Sequence, residues 1–412
     1  MRKRGKRVRF LQIFAICLQI AAKYRIIDDM NYTICVTSAF GVEAATKREL
    51  ERLGITGVRA ENGKILFQGT AATVAACNLY LRTANKVFVV LGTFSATSFD
   101  ELFDGVYAIP FEDFIPVSAS IPVTGKTARS DLFAYSACQS IIKKAICKRL
   151  MEKRRVLTLP ETGARYGVEF FFYRNECMIC LNTSGDGLHR RGYRTLVGEA
   201  PLKETLAAAL LDFSVWNPQK TLVDPFCGSG TIAIEAARIA CNIPAGMNRE
   251  FDFTAWGEEF SSPLLQEKER AAAAINYSAA PDIQGYDIED SQILLARAHA
   301  KAAGVGDKIH FQRRDMRALS SHAKYGVVVT NPPYGKRLAE GAEVISLMKD
   351  YGKVAQTLPT WSFYTITSFL DFERCFGKKA EKKRKLFNGN LECCYYQMPG
   401  PRPPQKPREE NR

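Results

Sequence analysis

Apolar and polar positions alternate with period two over residues 32–37, the signature of a half-buried strand. The period then lengthens. Val42, Ala45, Leu50 and Leu53 fall at helical spacing, and Gly54 ends the run. Residues 63–67 read as a strand after a turn, 70–81 as a helix and 86–94 as a strand, a βαβαβ series that predicts a small α+β unit. A helix is predicted over 135–153 and a hairpin over 166–172 and 177–182. Beyond residue 186 short apolar runs end in polar residues and alternate with helical stretches. The runs close at Asp224, Asp287, Asp315 and Asn331. Strands alternating with helices predict an open, Rossmann-like doubly wound α/β sheet. Asn388-Gly389, before the strand-like run 393–398, predicts a hairpin between final antiparallel strands.

Candidate chemistry gathers at those strand ends, where ligands bind in open α/β sheets. Asp224-Pro225-Phe226-Cys227-Gly228-Ser229-Gly230-Thr231 reads as strand end, glycine turn and helix start. Gly228 and Gly230 let the backbone turn tightly and approach a ligand, and the Thr231 hydroxyl is placed to cap the helix. The segment is neither a phosphate loop nor the dinucleotide fingerprint, since the required lysine and third glycine are missing. Asp287 ends a strand with a carboxylate able to accept both hydroxyls of a ribose. Asn331-Pro332-Pro333-Tyr334 offers no acid, metal ligand or strong nucleophile. It offers two fixed acceptors, the Asn331 side-chain oxygen and the Pro332 carbonyl, beside an aromatic ring, a set suited to a planar NH2 group.

Asp224 with its glycine turn, Asp287, Asp315 and Asn331-Pro-Pro-Tyr, in that order, resemble the Rossmann-fold methyltransferases that use S-adenosyl-L-methionine and methylate exocyclic amines. The resemblance implies that Asp224, Phe226, Cys227, Gly228, Gly230 and Thr231 hold the methionine part of the cofactor. It implies ribose binding by Asp287 with Ile288, adenine neighbours in Asp315 and Met316, and closure over the methionine end by Thr205 beside Lys203 and Glu204. Asn331, Pro332, Pro333 and Tyr334 become the catalytic set.

Upstream, the βαβαβ series resembles a ferredoxin-like domain. Residues 121–133, the basic helix carrying Lys143, Lys144, Lys148 and Arg149, and the hairpin resemble the RNA-binding THUMP domain. Gly125-Lys126-Thr127 is not a phosphate loop, because position 120 is Ser. Over residues 30–398 the chain is similar to bacterial THUMP-containing guanine-N2 methyltransferases of large-subunit ribosomal RNA. Leu188-His189-Arg190-Arg191-Gly192-Tyr193-Arg194 and Ala200-Pro201-Leu202-Lys203-Glu204 add to that likeness. The implied RNA contacts are Lys126, Arg129, Lys143, Lys144, Arg190, Arg191, Arg194, Lys336 and Arg337. The expected organisation is an extension over 1–29, a ferredoxin-like domain over 30–85, a THUMP-like domain over 86–185, the methyltransferase domain over 186–398 and a disordered tail over 399–412.

Composition fits this picture. A net charge of +14 over 412 residues points to an anionic partner, most simply nucleic acid. The resemblance implies that this partner is RNA, as large-subunit ribosomal RNA or a pre-ribosomal particle. Twelve scattered cysteines and four histidines frame no disulfide or metal pattern. Alternation puts Cys177 and Cys180 on opposite strand faces, so no metal is expected, and a reducing cytoplasm is. Residues 1–9 are basic and 10–22 largely apolar, the outline of a signal peptide. That run is short and broken by Gln, so no membrane partner is expected, and Met30 is the favoured translation start. The tetrad by itself also serves adenine-N6 methyltransferases on RNA or DNA and a glutamine methyltransferase of release factors. A guanine-N2 methyltransferase of tRNA, and a non-catalytic RNA assembly factor, are further readings.

Overall fold

Strand β1 (Tyr32–Ser38) sends Ile34 and Val36 into one core and Cys35 into another, as its alternation requires. Helix α1 (Glu43–Arg52), β2 (Arg59–Glu61), β3 (Lys64–Gly69), α2 (Ala71–Tyr80) and β4 (Ala84–Ser95) follow. A reciprocal pair of bonds between Thr70 and Thr73 closes the start of α2. Then come α3 (Phe99–Ala108), β5 (Val123–Ala128), α4 (Tyr135–Arg154), β6 (Val168–Tyr173) and β7 (Glu176–Asn182). The β6–β7 turn is made by Arg174 and Asn175 at φ +53° and +63°, the conformation that matches strand twist in two-residue hairpins. This computed structural model describes residues 31–61, 63–194, 202–333 and 341–404, so the readings of residues 1–29 and of the end of the tail lie outside it.

Strand β4 is twelve residues long and pairs on both edges, with β1 through 84–89 and with β7 through 88–95. It therefore belongs to both amino-terminal units and fuses them into one sheet of order β2-β3-β1-β4-β7-β6-β5. On β7, Cys177 packs with the main core, and Cys180 lies on the other face with Cys35 and Phe88. The two sulfurs face away from each other.

The carboxy-terminal half contains α5 (Glu204–Phe213), β8 (Leu222–Asp224), α6 (Thr231–Ala240), α7 (Glu258–Ala274), β9 (Ile283–Asp287), α8 (Asp290–Ala302) and β10 (His310–Arg313). These are followed by β11 (Val327–Thr330), α9 (Gly341–Thr357), β12 (Ser362–Thr367), α10 (Phe372–Phe376), β13 (Lys382–Asn388) and β14 (Leu391–Met398). The sheet order is β10-β9-β8-β11-β12-β14-β13, parallel as far as β12 and antiparallel through β14 and β13. Leu222, Val327 and Val329 enter one core and Val223 and Val328 the other, as a sheet covered on both faces demands. Chain order runs outward from β8 to β10 on one side and to β12 on the other. The crevice beyond the carboxyl ends of β8 and β11 is the topological switch point of the sheet.

The two halves are in contact. Arg48 and Arg52 of α1 both bond the Asp212 carboxylate of α5. The neighbouring Phe213 ring lies near two guanidinium groups, 5.5 Å from that of Arg48 and 4.2 Å from that of Arg384.

Candidate active site

The ends of β8 and β11 flank the switch point, and the end of β9 is tied to the turn that follows β8. Asp224, the last residue of β8, is buried. Its Oδ1 accepts the Thr330 hydroxyl at 2.6 Å and the Phe226 backbone N–H at 3.3 Å. Burial pushes its carboxyl up to about 7, against the pull of these two donors. One residue beyond Thr330, Asn331 points its Oδ1 into a buried position with no hydrogen-bond partner among the described residues. A buried acceptor left unpaired is costly, so the position has capacity for a hydrogen-bond donor.

The glycine turn between β8 and α6 is held from below. Gly228 donates its N–H to Asp287 Oδ2 at 2.9 Å, Cys227 donates to the Tyr286 carbonyl at 2.8 Å, and Gly230 closes the turn onto Cys227 at 2.8 Å. A buried His299 of α8 reaches the Ser229 carbonyl with Nδ1 at 3.3 Å. Because a carbonyl only accepts, Nδ1 must carry the proton. Gly230, at φ +82°, is the residue that starts α6, and Thr231 makes no cap with its side chain. The Thr231 hydroxyl instead accepts a bond from Arg194, which also pairs with Glu204 at 3.2 Å and reaches the Leu202 carbonyl. Arg194 thus ties the start of α5, with the buried Thr205 beside it, to the start of α6.

Asp287 Oδ1 accepts the Glu289 backbone N–H at 3.0 Å, and the next residue, Ile288, is 55% exposed, an apolar surface beside a carboxylate. Asp315 starts a short turn by accepting the Arg317 N–H at 2.8 Å, and its other oxygen pairs with the Arg317 guanidinium at 3.1 Å. Met316 beside it is buried. Phe226 sets its ring edge-on to Tyr351 at 5.7 Å. Pro332 is buried and Pro333 half-buried. Tyr334, Lys336 and Arg337 lie outside the described residues.

The remaining expected RNA contacts divide by exposure. Lys126, Arg129, Lys144 and Arg190 are exposed. Lys143 is half-buried and pairs with Glu161 at 2.5 Å while donating to the Ile121 carbonyl. Arg191 requires correction. Its side chain is fully buried against Glu235, also fully buried, at 3.3 Å, and its guanidinium further bonds the carbonyls of Leu188 and Arg82. No phosphate can reach it. Arg194, 18% exposed and engaged on three sides, is likewise a structural tie rather than a surface contact. Glu235, the partner of Arg191, is not among the residues expected from the sequence. A carboxylate inside the apolar run Thr231-Ile-Ala-Ile-Glu235, three residues before Arg238, was the available signal.

Family models match three stretches of the chain. They describe an RlmL ferredoxin-like domain over residues 33–88, a THUMP domain over 96–182 and an RMKL-like methyltransferase domain over 191–397. The chain belongs to the RMKL-like methyltransferase family. Within that family, it is 42% identical over 386 residues to the putative RNA methyltransferase YpsC of Bacillus subtilis, covering 92% of this chain and 99% of that one. It is 33% identical to the ribosomal RNA large subunit methyltransferase K/L of Methylococcus capsulatus, over 88% of this chain but only 50% of that longer protein. A crystal structure from Listeria monocytogenes, described as a predicted N6-adenine-specific DNA methylase, is 43% identical with a TM-score of 0.85, covering 90% of this chain and 97% of its own. A putative methyltransferase crystallised with S-adenosylhomocysteine is 38% identical with a TM-score of 0.86, covering 91% and 99%.

S-adenosylhomocysteine is what remains of S-adenosylmethionine once the methyl has left, so the cofactor of this RMKL-like methyltransferase is S-adenosylmethionine. The residues present fit it. The buried Asp224 lacks a cationic partner among the described residues, a Cβ at Gly228 would meet nothing nearer than 3.9 Å among them, and Asp287 and Ile288 offer a polar and an apolar surface side by side.

Proposed function

We propose that this methyltransferase transfers a methyl group to the exocyclic N2 amine of a guanine in large-subunit ribosomal RNA. The observation that carries the reading is the buried Asn331 Oδ1, without a partner among the described residues, at the switch point and one residue from the Thr330–Asp224 bond. The match to a THUMP domain, the exposed Lys126, Arg129, Lys144 and Arg190, and the relatives described as RNA methyltransferases support an RNA substrate. The choice of guanine rests on the family resemblance alone.

Asp224, Phe226 to Thr231, Thr205, Asp287, Ile288, Asp315 and Met316 would hold the cofactor, which when bound supplies an electrophilic methyl on a sulfonium centre. A target base must first leave its stack, at a cost of a few kcal/mol. The Asn331 oxygen and Pro332 carbonyl then accept the two amine hydrogens, and Tyr334 stacks on the ring. Those bonds localise the nitrogen lone pair and aim it, so the chain contributes orientation and electrostatics rather than a covalent intermediate. The amine passes one proton to solvent after attack.

A second reading, adenine-N6 methylation, is favoured by the description of the Listeria relative. Both amines sit on an sp2 carbon and suit the same acceptors. Mass spectrometry of nucleosides from a deletion strain separates them. Loss of N2-methylguanosine from large-subunit RNA supports the proposal, loss of N6-methyladenosine supports the second reading, and an unchanged nucleoside profile overturns both.

A further inference from the structure

The THUMP-matching unit carries an aromatic ring in water on a firmly held loop. Phe133 is 78% exposed. It lies between β5 and α4, in a segment whose backbone is tied at almost every step. Ser130 Oγ donates to the Ala128 carbonyl at 3.1 Å and accepts from the Asn175 N–H at 3.1 Å. Asp131 N donates to Asn175 Oδ1, and Asn175 Nδ2 returns a bond to the Asp131 carboxylate, both at 2.8 Å. Thr127 Oγ1 donates to the Phe133 carbonyl at 3.2 Å. Arg129 is held at φ +53°, a conformation non-glycine residues rarely adopt. This loop is therefore ordered at some energetic cost, and the ring it presents is not buried in return.

The surroundings are basic and aromatic. β5 is an edge strand, and alternation exposes Thr124, Lys126 and Ala128. Ala128 pairs in register with Tyr173, which is 43% exposed and carries the Arg174 guanidinium 5.4 Å from its ring centroid. Lys126, Arg129 and Arg174 make no ion pair among the described residues. Of the nearby acids, Asp131 is already bonded to Asn175 and Glu176 is exposed on β7. A single exposed apolar side chain needs no explanation by itself. A pre-ordered ring framed by unpaired cations has the composition of sites that stack unpaired bases and neutralise the neighbouring phosphates.

We propose that this loop is a nucleotide-binding site, in which Phe133 stacks on an unpaired base of the RNA while Lys126, Arg129 and Arg174 take the adjacent phosphates. The site positions the RNA and is separate from the amine-holding turn at Asn331. The inference rests on the RNA reading of the protein's function.

The test uses the full chain and a single-stranded RNA decamer carrying 2-aminopurine, whose fluorescence is quenched by stacking. Phe133→Ala is expected to abolish the protein-induced quench and weaken binding about tenfold, with the slope of log affinity against log salt unchanged, and Phe133→Tyr to restore both. Lys126→Ala and Arg129→Ala are each expected to lower that slope by about one. Because Phe133 is so exposed, an unchanged thermal melt serves as the folding control. Wild-type affinity and quench in Phe133→Ala overturn the site while leaving the RNA reading intact. Failure of the wild-type protein to bind RNA of any form overturns both.

Discussion

Thr330 donates its hydroxyl to Asp224 Oδ1 at 2.6 Å, joining the ends of two neighbouring parallel strands. One strand ends in the acid proposed to face the cofactor, and the other runs straight into Asn331. The same bond therefore fixes Asn331 relative to Asp224. It also eases ionisation of Asp224 against the opposing effect of burial.

Burial pushes the Asp224 carboxyl up to about 7, well above the value near 3.9 of an unfolded chain. Between these limits the native state holds a proton that the unfolded state has released. This group's contribution to stability is thus present at low pH, is lost as pH rises from about 4 to about 7, and is constant above. A cationic ligand group prefers the ionised form, so cofactor affinity should run the other way and rise through pH 7. Calorimetric titration with S-adenosylmethionine between pH 6 and 8 checks this. Thr330→Val removes the stronger donor, worth roughly 1.5–3 kcal/mol to a charged acceptor, and should move the midpoint alkaline by about one to two pH units. An unmoved midpoint would show that Asp224 is not the titrating group.

Adjacent arginines at the domain junction should behave oppositely. Arg191 is buried against Glu235, in a network that includes Arg238 and Arg82. Burial alone would raise the Glu235 carboxyl, but the surrounding guanidinium groups hold it below the usual carboxylate range. Arg191→Ala removes its closest partner and should destabilise the protein by about 3–5 kcal/mol. Arg190 is 67% exposed and, among the described residues, its side chain pairs only with Asp186, at 2.9 Å. Arg190→Ala should leave the urea midpoint unchanged within error and act, if at all, on RNA affinity. Equal midpoints for the two variants would contradict the burial assigned here.

Much of the chain was legible because polar residues interrupt apolar runs where strands must end. Asp224, Asp287 and Asn331 were recognisable on that ground, and Asn388-Gly389 on its turn chemistry, with Gly389 at φ +64° between β13 and β14. Period-two alternation also separated Cys177 from Cys180. What alternation cannot convey is which neighbours a strand takes, so the sharing of β4 between two units was hidden. Nor does composition distinguish Arg190 from Arg191, since their opposite burial depends on a carboxylate forty-four residues away. Thr231 looked like a helix cap because local rules favour it, but a tertiary partner, Arg194, takes the hydroxyl instead.

Two glycines of one turn should fail in different ways. Gly230 sits at φ +82°, and a Cβ there would lie 2.8 Å from Phe311 Cζ and 3.0 Å from Ala296 Cβ. Gly230→Ala must therefore strain the backbone and push into the packing under α6 and α8. A loss of about 1–3 kcal/mol in unfolding free energy is expected before any ligand is added. Gly228 has φ +50°, nearer the region that other residues tolerate, and a Cβ there would meet only Gln292 Oε1 at 3.9 Å. The space beside it is free of tight packing among the described residues. Gly228→Ala should fold with at most a modest loss of stability, yet place a methyl group where the cofactor approaches the turn, weakening its binding at least tenfold. Thermal melts with and without S-adenosylmethionine distinguish the two. Gly230→Ala should melt early in both conditions, and Gly228→Ala should melt nearly normally alone but lose the shift that ligand gives the parent protein. If Gly228→Ala kept the full ligand shift, the cofactor would not pass over this turn.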